Sequence, residues 1–399
     1  MEEPHARSAK KPAVTMTQVF LFLLAIVIAF IAGTRSDYII ATITGRTVGN
    51  VSLDLSSVQS LYKELSTSFD GELDNQKLVE GAKRGMVEAV GDPYTVYFTA
   101  KEAEEFLGEL EGTFEGIGAE LSRKEGVLTI VSTIDGSPAK KAGLQAGDSI
   151  LMVNDKPTAE WSVEEAVKNI RGAKGTTVKL TVARLGQDKA LEFSVVRDQI
   201  TDPSVKTEIT ADNIGILRIT RFGQSDTVQL ARQAAREFRD KNVRGVVVDL
   251  RGNGGGYLES SRDIASLWLN NKVIVTERTG GVVIDTLYSR GEAILAGVPT
   301  VVMVNEGTAS ASEILAGALR DNGAAKLVGT KTYGKGVVQD VRSLSDGGSL
   351  KVTIASWYTP KGKNISKEGI TPETVIDLTD EDVAAGRDPQ KDKALELLK

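Results

Sequence analysis

The sequence predicts an α/β multidomain chain with an apolar helix at its N-terminus, and three patterns carry that expectation. Apolar strands alternate with helices beyond residue 199: Ile214–Ile219, Gly245–Leu250, Thr300–Val304 and Ala325–Val328 read as strands, with Thr227–Asp240 and Glu313–Asp321 as helices between them. Such alternation argues for an at least partly parallel sheet. A β-rich module precedes it, with strands at Val127–Val131, Ser149–Val153, Thr177–Ala183 and Leu191–Val196 and one helical segment at Val163–Ile170. Near the start, an unbroken apolar stretch runs from Val19 to Ala32, extendable to Met16–Gly33. The 399 residues fit two or three globular units.

In chain order, the basic residues Arg7, Lys10 and Lys11 come first, ahead of the apolar stretch. About 18 residues of helix span roughly 27 Å, enough for a thin bilayer core. A cleaved signal is the rival, but no clean Ala-x-Ala site follows. An uncleaved single-pass signal-anchor is therefore expected, with its basic flank in the cytoplasm and the rest exported. Asp37 to Asn50 reads as a linker. Leu55 to Phe106 reads as mostly helical, since Leu61, Leu65, Phe69, Leu73, Leu78, Val79, Met86, Val87 and Val90 recur at three- and four-residue steps, with a break at Gly91-Asp92-Pro93. The expected division is 1–36 cytoplasmic tail and membrane helix, 37–111 linker and helical region, 112–198 β-rich module, 199–378 α/β core and 379–399 charged tail. That tail is helix-prone at Lys393–Leu398 and is expected to pack loosely.

Composition removes whole classes of chemistry. Lys plus Arg number 48 against 54 for Asp plus Glu, a net charge of −6, which gives no reason to hold nucleic acid. There is no cysteine, so thiol nucleophiles, thiolate zinc sites and iron–sulfur clusters are excluded. The single histidine, His5, lies ahead of the apolar stretch, so Ser–His–Asp catalysis has no base in the folded part. A hydrolase built on this chain must take its general base from Lys, Asp, Glu or a terminus. No metal or cofactor is expected.

In the β-rich module, Gly116-Ile117-Gly118-Ala119 opens a strand, where converging backbone N–H groups can hold a carboxylate. Taken alone, the pair of glycines is an ordinary hairpin entry. With Ser137-Pro138-Ala139, Ala142-Gly143-Leu144 and Gly147-Asp148-Ser149-Ile150-Leu151 behind it, the stretch resembles a PDZ domain. PDZ domains, with a β-sandwich or barrel-like fold, bind the C-terminal tails of peptides as an added strand. Val163 and its neighbours would line the groove.

Two stretches of the core could carry chemistry. Thr308-Ala309-Ser310-Ala311-Ser312-Glu313-Ile314-Leu315-Ala316 follows an apolar strand. On spacing alone, Ser310-x-x-Glu313 is a capping box worth about 1 kcal/mol. A serine at a strand-to-helix turn is also where a nucleophile gains from the positive helix end. The second stretch, Gly329-Thr330-Lys331-Thr332-Tyr333-Gly334-Lys335-Gly336, nearly fits a phosphate-binding loop. Gly336 stands where the Mg²⁺-binding hydroxyl belongs, and Val337-Val338-Gln339-Asp340-Val341 has no helical face, so a nucleotide hydrolase is disfavoured. Together the stretches offer a serine and a lysine. Lysine's ordinary pKa of about 10.4 means roughly 4–5 kcal/mol must be found to make it half neutral near pH 7. Burial beside Tyr333, Val337 and Val338 is of the right kind.

Both blocks resemble the carboxyl-terminal processing protease family, tail-specific serine endopeptidases with a Ser–Lys dyad and an inserted PDZ domain. The likeness extends over Asp92-Pro93-Tyr94, Phe114–Gly118, Asp249-Leu250-Arg251-Gly252-Asn253-Gly254-Gly255-Gly256, Tyr358–Gly362 and Gly369-Ile370-Thr371-Pro372. The resemblance implies Ser310 as nucleophile, Lys335 as general base and then acid, and Gln339 as the group that orients the lysine amine. It implies an oxyanion hole from the backbone N–H groups of Ala311 and Gly256, and a peptide site at Gly116, Ile117, Gly118 and Ala119. Ser312 is the nearest competing nucleophile. Its substrates would be proteins with apolar C-termini. The chain would sit in the inner or cytoplasmic membrane, its catalytic part on the periplasmic or extracellular face. A homo-oligomer, an activating partner and PDZ gating through the junctions near Gly112 and Asp198–Pro203 fit the same plan. A non-catalytic PDZ scaffold is the alternative.

Overall fold

The computed structural model describes residues 53–399 apart from 125, 135, 188 and 225. The apolar stretch Met16–Gly33 and the basic segment ahead of it, on which the membrane-anchor expectation rests, therefore lie outside the described residues. Among the described residues no helix is long and apolar enough to cross a membrane.

The Ser56–Ser68 helix belongs to a unit that, among the described residues, comprises 53–75 and Thr279–Val282. The helix buries none of its side chains, and Val58, Leu61 and Tyr62 are exposed. The Tyr62 hydroxyl donates to Asn75 Oδ1 at 3.0 Å.

Gln76–Arg278 and Val283–Lys399 form the second body. Its first part departs from the expected long helical run. The Asn75–Glu88 helix ends, the strand Val96–Phe98 follows, and then the Ala100–Glu111 helix begins on a Thr99–Glu102 capping box. Tertiary pairing overrides helix propensity here: Val96 and Phe98 pair with Lys351 and Ser349, and Tyr97 is buried.

The PDZ-like module is an antiparallel sheet in the order Ala119–Lys124, Val127–Thr133, Ser149–Val153, Thr177–Ala183, Leu191–Val196. Alternation along Thr177–Ala183 sends Val178, Leu180 and Val182 into a core with Leu128, Ile130, Leu144 and Ile150. The Gly147-Asp148 signal also has a cause: the buried Asp148 carboxylate takes a two-pronged bond from Arg184 at 2.7 Å on each oxygen. Ala119–Lys124 is an edge strand, and it packs beside the Val163–Ile170 helix. The chain enters and leaves the module through paired strands, Thr113–Gly116 and Asp198–Thr201.

The core sheet runs Val205–Ile209, Ile214–Ile219, Gly245–Asp249, Thr300–Val304, Lys326–Gly329, Thr374–Val375, parallel except at its first strand. Gly245–Asp249 and Thr300–Val304 are buried along their whole length, as strands covered on both faces must be. One cover includes the helices Thr227–Asp240, Leu258–Ala265 and Ala311–Asp321. The C-terminal helix Pro389–Glu396 belongs to the other cover, with Ala394 and Leu398 against Ile214, Val247, Val301 and Val328. The expectation of a loosely packed tail is thus corrected. Arg251 reinforces it, bridging Asp388 and Asp249 with four bonds of 2.9 Å. A second sheet, built on Ser349–Tyr358, pairs with Val337–Ser343 and carries the lysine segment at its start.

Candidate active site

Ser310 stands between the strand Thr300–Val304 and the helix Ala311–Asp321, at φ 55° and ψ −119°. A positive φ costs a serine about 1–3 kcal/mol, so surrounding contacts must hold it there. Asn253, which sequence reasoning assigned no role, supplies several. Its carbonyl accepts from the Ala309 N–H at 3.0 Å and from Ser312 Oγ at 2.9 Å, and its side chain bonds the Gly255 N–H and the Ile219 carbonyl, each at 2.9 Å. Ser312 is thereby fully buried and committed, which leaves Ser310 as the accessible hydroxyl of the pair.

The turn Gly254–Gly256 lies against this serine. A Cβ on Gly255 would sit 2.8 Å from Ser310 Cβ and 3.1 Å from the Ala311 nitrogen; one on Gly256 would sit 2.3 Å from the Phe222 carbonyl oxygen. Both glycines have positive φ, 110° and 139°. Only glycine lets the two backbones come this close. Among the described residues, neither the Gly256 nor the Ala311 N–H donates to a protein acceptor. Both remain available beside the serine, as an oxyanion hole requires.

Lys335 reaches the same place through backbone contacts. Glu313, fully buried, accepts from the Ser310 N–H and the Lys335 N–H on one oxygen, each at 2.9 Å. The two backbone nitrogens therefore lie within about twice 2.9 Å of each other. On its other oxygen Glu313 accepts from Thr332 Oγ1 at 2.5 Å and the Gly334 N–H at 2.9 Å. Burial holds this carboxyl above its ordinary value, against the pull of those donors. The Tyr333 N–H goes to the Thr308 carbonyl at 3.0 Å, and the Lys335 carbonyl accepts from Trp357 Nε1 at 2.9 Å. With the Tyr333, Gly334 and Lys335 N–H groups all spent on protein acceptors and a strand following, Gly329–Gly336 has no cradle for phosphate.

The Lys335 side chain is half-buried. Burial holds its amine below the ordinary lysine value, the Lys351 charge adds to that, and Asp92 opposes it. Its Nζ lies 5.5 Å from the centre of the Tyr94 ring. Among the described residues no hydrogen bond joins it to Ser310 Oγ. The ring face and the Asp92 charge attract the amine to the Asp92–Thr95 segment instead. Gln339 is turned the same way, its Nε2 donating to the Tyr94 carbonyl. Thr95 fixes this segment, bonding Asp92 at 2.6 Å and accepting from the Thr353 N–H at 3.2 Å. The Asp92-Pro93-Tyr94 motif was visible in the sequence; its place beside the lysine was not.

In the PDZ-like module, the Ile117 and Gly118 carbonyls accept from the Ala139 and Ile134 N–H groups at 2.8 and 2.9 Å, which fixes the glycine loop. Ala119, Leu121 and Val163 are half-buried beside the edge strand and helix. No group of His, Cys, Asp and Glu side chains suited to a metal occurs among the described residues.

Comparison with known proteins gives this arrangement its context. Family models match at residues 213–376 (peptidase family S41), 109–183 (PDZ domain) and 40–102 (activating protease CtpB N-terminal domain). The carboxy-terminal processing protease CtpA of Bacillus subtilis is 36% identical over 91% of this chain and 78% of its own length; CtpB of the same organism is 35% identical over 82% and 68%. A solved photosystem II D1 C-terminal processing protease is 29% identical, with a TM-score of 0.53 over 81% of this chain and 88% of its own. These findings place the chain in the carboxy-terminal processing protease family: it is a serine-type S41 peptidase with a PDZ domain.

Proposed function

We propose that the protein is a membrane-anchored, exported endopeptidase that selects substrates by an apolar C-terminal tail and cleaves through a Ser310–Lys335 acyl-enzyme mechanism. The observation that carries the reading is the docking of both backbones on one Glu313 oxygen, with the serine at a helix N-terminus and the lysine side chain half-buried. The neutral Lys335 amine, turned from Tyr94 toward Ser310, takes the hydroxyl proton as Oγ attacks the scissile carbonyl. The Ala311 and Gly256 N–H groups meet the oxyanion. The Lys335 ammonium then protonates the leaving amine, and water attacks the acyl-enzyme by the reverse proton path. Gln339, with its amide nitrogen held by Tyr94, keeps its oxygen to accept from Lys335 Nζ.

The tail enters at the PDZ domain. Its carboxylate is received by the Gly116, Ile117, Gly118 and Ala119 backbone, and its chain adds to the Ala119–Lys124 edge strand. Met16–Gly33 supplies the anchor, with the catalytic part outside the cytoplasm. The test is cleavage of a peptide with an apolar tail by wild type, Ser310→Ala and Lys335→Ala. Full activity in either variant refutes the dyad. Fractionation of cells expressing the full chain or a chain lacking residues 1–36 tests the anchor, which fails if both forms are equally soluble.

A further inference from the structure

Glu313 does more than close a helix cap. Capping the Ala311–Asp321 helix would use the Ser310 N–H alone, yet three further donors come from the segment Thr332–Lys335. An ionised carboxylate has about four acceptor sites, two on each oxygen. Here each oxygen takes two donors, so the group is saturated while fully buried. Among the described residues it has no ion-pair partner, and these bonds alone compensate its charge. The set continues outward: Thr332 Oγ1 accepts from the Ile370 N–H at 2.7 Å, and the Thr332 N–H donates to the Ile370 carbonyl at 3.1 Å. The Gly369-Ile370-Thr371-Pro372 motif is thereby tied to the lysine segment.

We propose that Glu313 is a positioning residue for the reaction, with Thr332 as its auxiliary: the carboxylate fixes the backbone of Lys335 at a set distance from that of Ser310. The proposal rests on the Ser310–Lys335 reading. The chemistry makes the claim selective. A glutamine of the same shape accepts two donors on its one oxygen and presents an NH₂ to the other two. If the oxygen keeps the Ser310 and Lys335 N–H groups, the NH₂ faces Thr332 Oγ1 and the Gly334 N–H. The hydroxyl can turn and accept. The Gly334 N–H cannot, and it is left buried and unpaired. Glu313→Gln therefore loosens the lysine segment while keeping volume and packing.

The experiment compares Glu313→Gln and Thr332→Val with wild type in the full-length protein. Steady-state kinetics on a tail peptide, the pH profile of kcat/KM, thermal unfolding and peptide affinity are measured for each. The titratable groups facing the amine are Asp92, Tyr94 and Lys351, with Tyr333 on its own segment, and both variants leave all of them in place. The expected result for Glu313→Gln is a fall of about 10- to 100-fold in kcat with KM and tail affinity unchanged. Its pH profile moves to higher pH, because a lysine less firmly held in its half-buried site regains a more ordinary value. Thr332→Val moves the same quantities in the same direction by a smaller factor, about 3- to 10-fold in kcat. Wild-type kcat and pH profile in a folded Glu313→Gln overturn the proposal. So does a loss of activity that tracks lost thermal stability with the pH profile unmoved, which marks a cap and nothing more. Should Glu313→Gln fail to fold, Thr332→Val decides alone: an unmoved pH profile overturns the proposal. Retained cleavage by Ser310→Ala would instead strike the underlying reading, so the two failures are distinguishable.

Discussion

The PDZ domain and the protease site bring their parts together over very different stretches of chain. In the PDZ domain the glycine loop, the Ala119–Lys124 edge strand and the Val163–Ile170 helix belong to one short module with its own hydrophobic core. The candidate active site gathers the Gly254–Gly256 turn, the Ser310 loop, the Thr332–Lys335 segment and Tyr94, which lies 245 residues from the Gln339 it contacts. The module can bind with its backbone edge, so side-chain identity matters at few positions. The site depends on buried polar groups, each of which must be satisfied. Damage to one region should accordingly change substrate capture, and damage to the other should change turnover.

The sharpest way to break that division is at the site itself. Ser310→Ala or Lys335→Ala should lower kcat by about 10⁴-fold or more, with tail-peptide affinity measured by calorimetry unchanged; a matching loss of affinity would show the regions are not separate. Next comes Gly256→Ala, whose Cβ would meet the Phe222 carbonyl at 2.3 Å. The displaced N–H should cost about 10²–10³ in kcat. Normal turnover in that variant would remove Gly256 from the oxyanion hole. On the other side, Val163→Glu places a charge beside the edge strand, and KM for apolar-tailed substrates should rise about tenfold, about 1.4 kcal/mol, at constant kcat. A changed kcat with unchanged KM would reverse the assignment.

The smallest effect concerns protonation. Burial and the Lys351 charge both lower the Lys335 value, so activity should rise with pH and reach half its plateau below the ordinary lysine range. Lys351 lies 5.4 and 5.0 Å from the ring centres of Phe98 and Phe106. Lys351→Met removes a like charge, which raises the Lys335 value and shifts the rise to higher pH, by less than about one unit given partial solvent screening. A shift to lower pH would contradict the electrostatic picture.

What the sequence revealed follows the same division. Ser149–Val153, Thr177–Ala183, Leu191–Val196 and Val163–Ile170 have the bounds that their periodicity predicts, because alternation and capping are local signals. Ile214–Ile219 and Thr300–Val304 were equally plain as buried parallel strands. Val96–Phe98 was hidden, since its partner lies on a strand formed far downstream. The helix Pro389–Glu396 reads as loose in the sequence because its buried side carries few apolar residues: Gln390 and Ala394 are buried, Leu395 is partly so, and Leu398 follows the helix. At the site, motif residues were identifiable by type, but the second use of Glu313 was not: a capping box and a bridge share one spelling. Nor could spacing reveal that the Lys335 amine rests over Tyr94.

Trp357 offers a consequence of a different sort. Its indole nitrogen is bonded to the Lys335 carbonyl, and its ring is almost wholly enclosed. The chain has three tryptophans; Trp268 is fastened to Thr300 inside the core, and Trp161 belongs to the PDZ domain. Nature has thus built a fluorophore onto the backbone of the lysine. Its emission colour and lifetime, isolated by replacing Trp161 and Trp268 with phenylalanine, would report in real time whether that segment shifts when a tail peptide arrives, with no label attached.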